Sequence, residues 1–215
     1  MPRLRLLLLT AALGACATAR QEPREGQPDA SPASPDAPKQ SGTADASQTG
    51  GCTNAFTGVL ATWDFAAELG NQASTAVKST ATGVVAGSIE RATGLTPVSG
   101  ANAINSSNWP TAAQPDPAKH YKLTIAPPSG CALQITSLAI DARASATGPA
   151  MAAVTTSVDS YGQQLAIAPT AMSTPAMSIP AQTTMVELHV SGYAASATTG
   201  TFRLQSLFTV SGSLL

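Results

Sequence analysis

Short runs of alternating apolar and polar residues, broken by glycine and proline, occupy the chain from residue 58 onward. In residues 120–126, Tyr121, Leu123 and Ile125 alternate with His120, Lys122 and Thr124. A period of two puts the two sets on opposite faces of a β-strand. Pro127 and Pro128 end that strand, since neither can donate to a ladder. Residues 58–65 place Trp63 and Phe65 on one face, and residues 131–143 align Leu133 with Ile135 and, after a shift, Leu138 with Ile140. Residues 79–91, 151–158 and 163–168 predict further strands. In residues 183–194, Met185, Glu187 and His189 alternate with Val186, Leu188 and Val190. Phe202, Leu204, Leu207, Phe208 and Val210 mark one or two closing strands. Only residues 65–78 and 87–94 offer a helical alternative, and both are short. Seven to nine short strands predict an all-β domain, an antiparallel β-sandwich of jelly-roll type.

The pattern stops abruptly upstream. Residues 17–51 contain no Leu, Ile, Val, Met or aromatic residue, only Pro, Ser, Ala, Gly, Thr, Gln, a lone Cys-free mix of charges and little else. Such a segment cannot bury enough apolar surface to offset its ordering entropy, so a disordered tether is expected. Its Ser-Pro and Asp-Ala-Pro steps favour extended, polyproline-like conformations. Before it, Arg3 and Arg5 precede an apolar run from Leu6 to Leu13. That run is far shorter than the roughly 20 residues a membrane span requires, so it reads as a signal peptide over residues 1–15. The domains expected are therefore 1–15, a tether over 16–51, and a sandwich over 52–215.

Composition narrows the function classes. Charged residues make up only 11% of the chain, and the formal net charge is −1. In residues 52–215, Lys78, Arg91, Lys119, Lys122, Arg143 and Arg203 face Asp64, Glu68, Glu90, Asp116, Asp141, Asp159 and Glu187. They form no basic patch, which argues against a nucleic-acid partner. Cys52 and Cys131 are a candidate disulfide in an exported chain. Two free buried thiols or a metal pair are the alternatives, and neither histidine sits at ligand spacing from a cysteine.

Candidate chemistry is sparse. Trp109 lies in NAINSSNWPTAAQPDP, which reads as a long polar loop. An exposed indole there would stack on a sugar face while Asn105 and Asn108 bind hydroxyls. The competing reading is a plug over one end of the core, its indole N–H satisfied. Asp141, Arg143 and Asp159 form a candidate polar or Ca²⁺ site, because carboxylates and turn carbonyls are hard-oxygen ligands. Turn chemistry and an Arg–carboxylate pair explain the same residues without a metal. His120 and His189 sit at outward-facing strand positions, and no Gly-x-Ser-x-Gly elbow accompanies them. No catalytic residues, and no cofactor beyond the Ca²⁺ option, are expected. Asn105-Ser-Ser matches a glycosylation acceptor by chance.

Two resemblances complete the picture. Leu13-Gly14-Ala15-Cys16 resembles a bacterial lipobox. It implies that Cys16 becomes the lipid-bearing, palmitoylated first residue of an exported, membrane-anchored lipoprotein. Each buried methylene contributes about 0.8 kcal/mol, so two or three chains anchor durably where one does not. Ala17, rather than Asp, implies an outer-membrane destination in a Gram-negative host. Further on, WDF at 63–65, HYKLTIAPPSG at 120–130, LAIDARASATGP at 138–149, TTSVDSY at 155–161 and GTFRLQSLFTVSG at 200–212 are similar to a recurring secreted bacterial β-sandwich module. That module resembles galactose-binding-like, carbohydrate-binding domains and carries no established enzymatic activity. The expectation is a non-enzymatic cell-envelope lipoprotein that binds a glycan or an envelope protein. A structural or assembly role without a small-molecule ligand is the alternative, and a secreted hydrolase is the remote one.

Overall fold

The computed structural model describes residues 51–215. The readings of the signal peptide, of Cys16 and of the tether up to residue 50 lie outside the described residues. In chain order the strands are β1 (Phe56–Asp64), β2 (Ser74–Thr75), β3 (Val77–Thr80), β4 (Val85–Ala86), β5 (Ile89–Arg91), β6 (Thr96–Pro97), β7 (Ala103–Ser107) and β8 (Tyr121–Ala126). Then come β9 (Leu133–Ala144), β10 (Pro149–Thr156), β11 (Leu165–Ile167), β12 (Met172–Ser173), β13 (Ala176–Gln182), β14 (Val186–Ala195) and β15 (Phe202–Leu214). A 3-10 turn, Ser157–Asp159, follows β10. The helical alternatives at 65–78 and 87–94 are not realised, since both segments hold short strands and turns.

The strands form two antiparallel sheets packed against each other. The first sheet runs β12-β9-β15-β1-β3, with β13 also on β9 and β7 and β6 continuing from β15. The second runs β11-β10-β14-β8-β5-β2, with β4 also on β8. The expected alternation holds where both faces have defined neighbours. Tyr121, Leu123 and Ile125 of β8 and Val186, Leu188 and Val190 of β14 enter the core, leaving the intervening residues outside. Trp63 and Phe65 are both buried, and the Trp63 indole donates to the Gly87 carbonyl at 2.9 Å while meeting Phe208 edge-on.

Departures from strict alternation coincide with bulges. Leu60 and Ala61 are adjacent yet both buried, because the β1–β15 register shifts between Val59 and Ala61. The β9–β15 register jumps between Gln205 and Thr209, with Ser206 at φ 58°. Extra residues in one strand turn a side chain to the other face. Leu207, one of the residues marking the closing strands, is accordingly 43% exposed, while Phe208 is buried. Beyond the bulge β15 lies so close to β9 that a Cβ at Gly212 would meet the Gln134 carbonyl oxygen at 1.9 Å. The segment 79–91 is not one strand but the end of β3 plus β4 and β5, divided around Gly83 at φ 81°.

Two devices close the sandwich. Arg91 of β5 donates to Ser106 Oγ, to the Gln72 and Gly70 carbonyls and to the Asn105 carbonyl at 2.6–3.0 Å. It thereby ties the second sheet to β7 of the first. Cys52 and Cys131 form a disulfide with Cα atoms 4.6 Å apart, joining the start of the domain to the turn after β8. The bridge closes a loop with a sequence separation of 79. Reduction, or the C52S/C131S pair, is expected to cost about 4 kcal/mol by loop-closure entropy while leaving the fold intact. Urea unfolding with and without reductant measures this, and an unchanged midpoint would refute it.

Candidate functional site

Trp109 is completely buried. Its indole N–H donates to the Ser106 carbonyl at 2.8 Å, and its ring meets Tyr121 and Phe202 edge-on at 5.5 and 5.3 Å. The sugar-stacking expectation for Trp109 is thus corrected to the plug reading, because no ligand reaches an indole enclosed on every side. Asn105 lies in β7 rather than in a loop, 4% exposed, with its amide donating to the Ser99 carbonyl. It is also too buried to accept a glycan. Asn108 takes a left-handed conformation, φ 67°, and donates to the Gly94 carbonyl at 2.9 Å. Short polar side chains tolerate that backbone region, so Asn108 shapes the turn into Trp109.

The candidate Ca²⁺ site is corrected as well, since its residues are not brought together. Asp141 and Arg143 lie on β9 in the first sheet and Asp159 at the end of the 3-10 turn beside the second. Asp141 accepts from Gln205 and Ser206 and pairs with Arg143 at 3.0 Å. Asp159 accepts from Thr156 Oγ1 at 3.2 Å and from the Gln163 amide at 2.7 Å, which is turn chemistry. Among the described residues, no group of three or more His, Cys, Asp and Glu is arranged to hold a metal ion.

What the fold does assemble is a stack of three rings on the outer face of the second sheet. The imidazoles of His120 and His189 lie 3.6 Å apart and 12° from parallel. Tyr161 continues the stack on His189 at 4.3 Å, also at 12°. Position explains each member. His189 is opposite Lys122 in the β14–β8 register, and His120 immediately precedes β8. Tyr161 comes from the turn after β10, where Ser160 and Tyr161 hold φ 56° and 62°. A bulky residue at positive φ is strained, of order 1 kcal/mol or more, and persists only where its surroundings over-determine it. Here the Tyr161 amide donates to the Thr156 carbonyl at 2.7 Å and its hydroxyl to Glu187 Oε1 at 2.7 Å. His189 Nε2 meets the same carboxylate oxygen at 2.8 Å.

The stack borders a cleft of about 370 Å³. Gln114, Asp116 and Pro117 of the loop before β8 line one side, Tyr161 and Gln164 the other. His120, Thr155, His189 and Ser191 lie along the sheet between them. A second, more apolar hollow of about 340 Å³ lies across the same turn, against Val154, Leu165, Met177 and Ile179. Gln164 borders both cavities, so the turn is their shared wall.

Electrostatics follow from the crowding. Burial pushes His120 down to about 4, and the neighbouring His189 adds to the shift, opposed by the Pro117 backbone and Glu187. Burial also lowers His189, although the hydrogen bond and charge of Glu187 act against it. Burial raises the Tyr161 phenol to about 12, and the adjacent Glu187 reinforces this. For Glu187 the largest single influence, burial, acts upward, yet the bonds from Tyr161 and His189 with the nearby cations leave it below the usual carboxylate range. At neutral pH the stack is therefore two neutral imidazoles and a phenol around one carboxylate. Two unit charges about 4 Å apart would repel by about 4 kcal/mol at an effective dielectric of 20.

His189 occupies an outer strand position as expected, whereas His120 lies just before β8; the two are half-buried against each other, and Glu187 is the partner of His189. The role of Tyr161 had no signal in the sequence beyond a Tyr placed among turn residues. Comparison with protein-family models, with curated proteins and with solved structures finds no match for the chain. Trp109→Ala is expected to destabilise the domain by about 3–5 kcal/mol, as a buried aromatic truncation. Urea denaturation tests this, and a loss below about 1 kcal/mol would contradict the plug assignment.

Proposed function

We propose that the chain is a non-enzymatic cell-envelope lipoprotein whose sandwich binds a glycan in the cleft beside Tyr161. The observation that carries this reading is the partly exposed Tyr161 ring, fixed by its stack and by Glu187, at the edge of a cleft otherwise rich in amide, hydroxyl and carboxylate groups. An aromatic face beside such groups is the chemistry that recognises a sugar, which offers an apolar face and a rim of hydroxyls. The cleft volume falls within the roughly 300–1,000 Å³ of small-molecule sites. The ligand contacts move accordingly from Trp109, Asn105 and Asn108 to Tyr161, Gln114, Asp116 and Gln164.

The lipid on Cys16, export by the signal peptide and an outer-membrane destination in a Gram-negative host complete the proposal. So does a jelly-roll winding akin to galactose-binding-like modules, supported by a chain that passes repeatedly between the sheets, as β7, β8, β9 and β10 do.

Two measurements test it. Cys16→Ser should move the protein out of the membrane fraction and abolish incorporation of labelled palmitate. Retention of label would refute lipidation at Cys16. On a glycan array at pH 7.5 the wild-type chain should bind, and Tyr161→Ala should weaken that binding at least tenfold while the unfolding midpoint moves little. No binding to any glycan would overturn the sugar reading in favour of an envelope-protein partner, which crosslinking in cells would then capture.

A further inference from the structure

We propose that the stacked His120–His189 pair is a proton-sensitive latch that holds the Tyr161 turn against the second sheet at neutral pH and releases it on acidification. The consequence for ligand binding rests on the cleft reading above, but the movement itself does not.

The argument starts from geometry. Tyr161 sits on a strained, left-handed backbone and has a ring face covered by His189, which is itself covered by His120. The start of the turn is anchored, with Ser157 Oγ accepting from the Glu187 amide at 2.9 Å and Val158 packed on the core. Its tip is held by the Tyr161 amide on Thr156, the phenol on Glu187, and Asp159 on Thr156 and Gln163. If the two imidazoles part, Tyr161 loses its support and the strain favours rearrangement. Because Gln164 borders both cavities, lifting the turn opens the glycan cleft toward the apolar hollow beside it.

The charged groups around the pair come from several elements. From β14, Glu187 accepts from His189 and favours a first proton there. From β8, Lys122 opposes protonation of both rings, although Glu90 of β5 pairs with it at 3.3 Å. The loop before β8 contributes Asp116, itself 3.9 Å from Lys119, and the turn contributes the phenol of Tyr161, while Asp159 lines the hollow on the turn's other side. β10 presents only Thr155 to the cleft. One proton is therefore accommodated on His189 beside Glu187. The second, on His120, would set two imidazoliums face to face at 3.6 Å.

The direction with pH follows. Once the rings separate, each returns toward the ordinary histidine value near 6.5. In the closed stack His120 is held down to about 4. The open form therefore binds more protons between those values, and the closed form is favoured above pH 6.5 and loses ground as pH falls toward 4. The closed-to-open ratio drops by up to tenfold per pH unit for each proton involved.

Hydrogen exchange on the full chain, without ligand and corrected for intrinsic rates, tests the latch. Protection of residues 157–164 should fall at least tenfold between pH 7 and pH 5, while the buried strands β8 and β14 keep theirs. His120→Phe, which keeps an aromatic ring but cannot take the proton, should hold the segment protected at both pH values. Loss of protection in His120→Phe to the same extent as in wild type would overturn the proposal, as would unchanged protection in wild type. Proton NMR of the two histidines in the wild-type chain gives an answer free of any variant. Depressed titration of His120, with the Tyr161 ring signals moving in step, supports the latch, and titration of His120 at or above 6.5 refutes it. Failure of glycan binding at pH 7.5 would leave these results untouched, so the two readings fail separately.

Discussion

The buried indole of Trp109 joins the starts of β8 and β15. It packs edge-on against Tyr121, the first residue of β8, and against Phe202, the first residue of β15, while Tyr121 donates its hydroxyl to the Phe202 carbonyl at 2.7 Å. Three aromatic residues thus join both sheets at one end of the sandwich. The placement of His120 follows directly, because it precedes Tyr121 and must emerge on the opposite face of the strand. The loop between Trp109 and His120 is pinned as well, since Ala194 and Ala195 donate to the carbonyls of Ala112 and Pro110. One wall of the cleft is therefore an outcome of core packing.

The scarcity of charge gives the remaining polar groups defined tasks. Arg91 is satisfied by carbonyls and a hydroxyl rather than by a carboxylate, which makes it a strut between sheets. Asp141 and Asp159 are each consumed by neighbouring donors. Glu187 differs, because one of its carboxylate oxygens, Oε1, receives both a phenol and an imidazole on the exposed side of the sheet. A partly buried carboxylate committed to two aromatic partners organises a surface as firmly as a core contact does.

Much of the fold was legible from local pattern. Tyr121, Leu123 and Ile125, and likewise Val186, Leu188 and Val190, turned inward as their spacing required. The one-residue shift between Ile135 and Leu138 was visible before the register irregularity that causes it. The Cys52–Cys131 pair was legible too. The site was not. Trp109 and its flanking asparagines look like a binding loop because Asn, Ser and Pro surround them, yet an indole's burial depends on the space between the sheets, which composition does not encode. Leu207 is an apolar residue beside Phe208 in a strand, yet a bulge in β15 turns it out.

The sequence by itself determined the elements: strands with a buried and an exposed face, and their approximate ends at glycine and proline. These are local consequences of side-chain size, polarity and backbone freedom. Only the tertiary structure decided that residues 120, 161 and 189 meet. Their encounter requires β8 and β14 to pair in one register, and a turn after β10 to fold back over the same face. A one-residue slip would turn His189 into the core and Val190 out, because side chains alternate with a period of two. The ring stack is thus a property of long-range register, enforced by burial of the apolar residues on the other face.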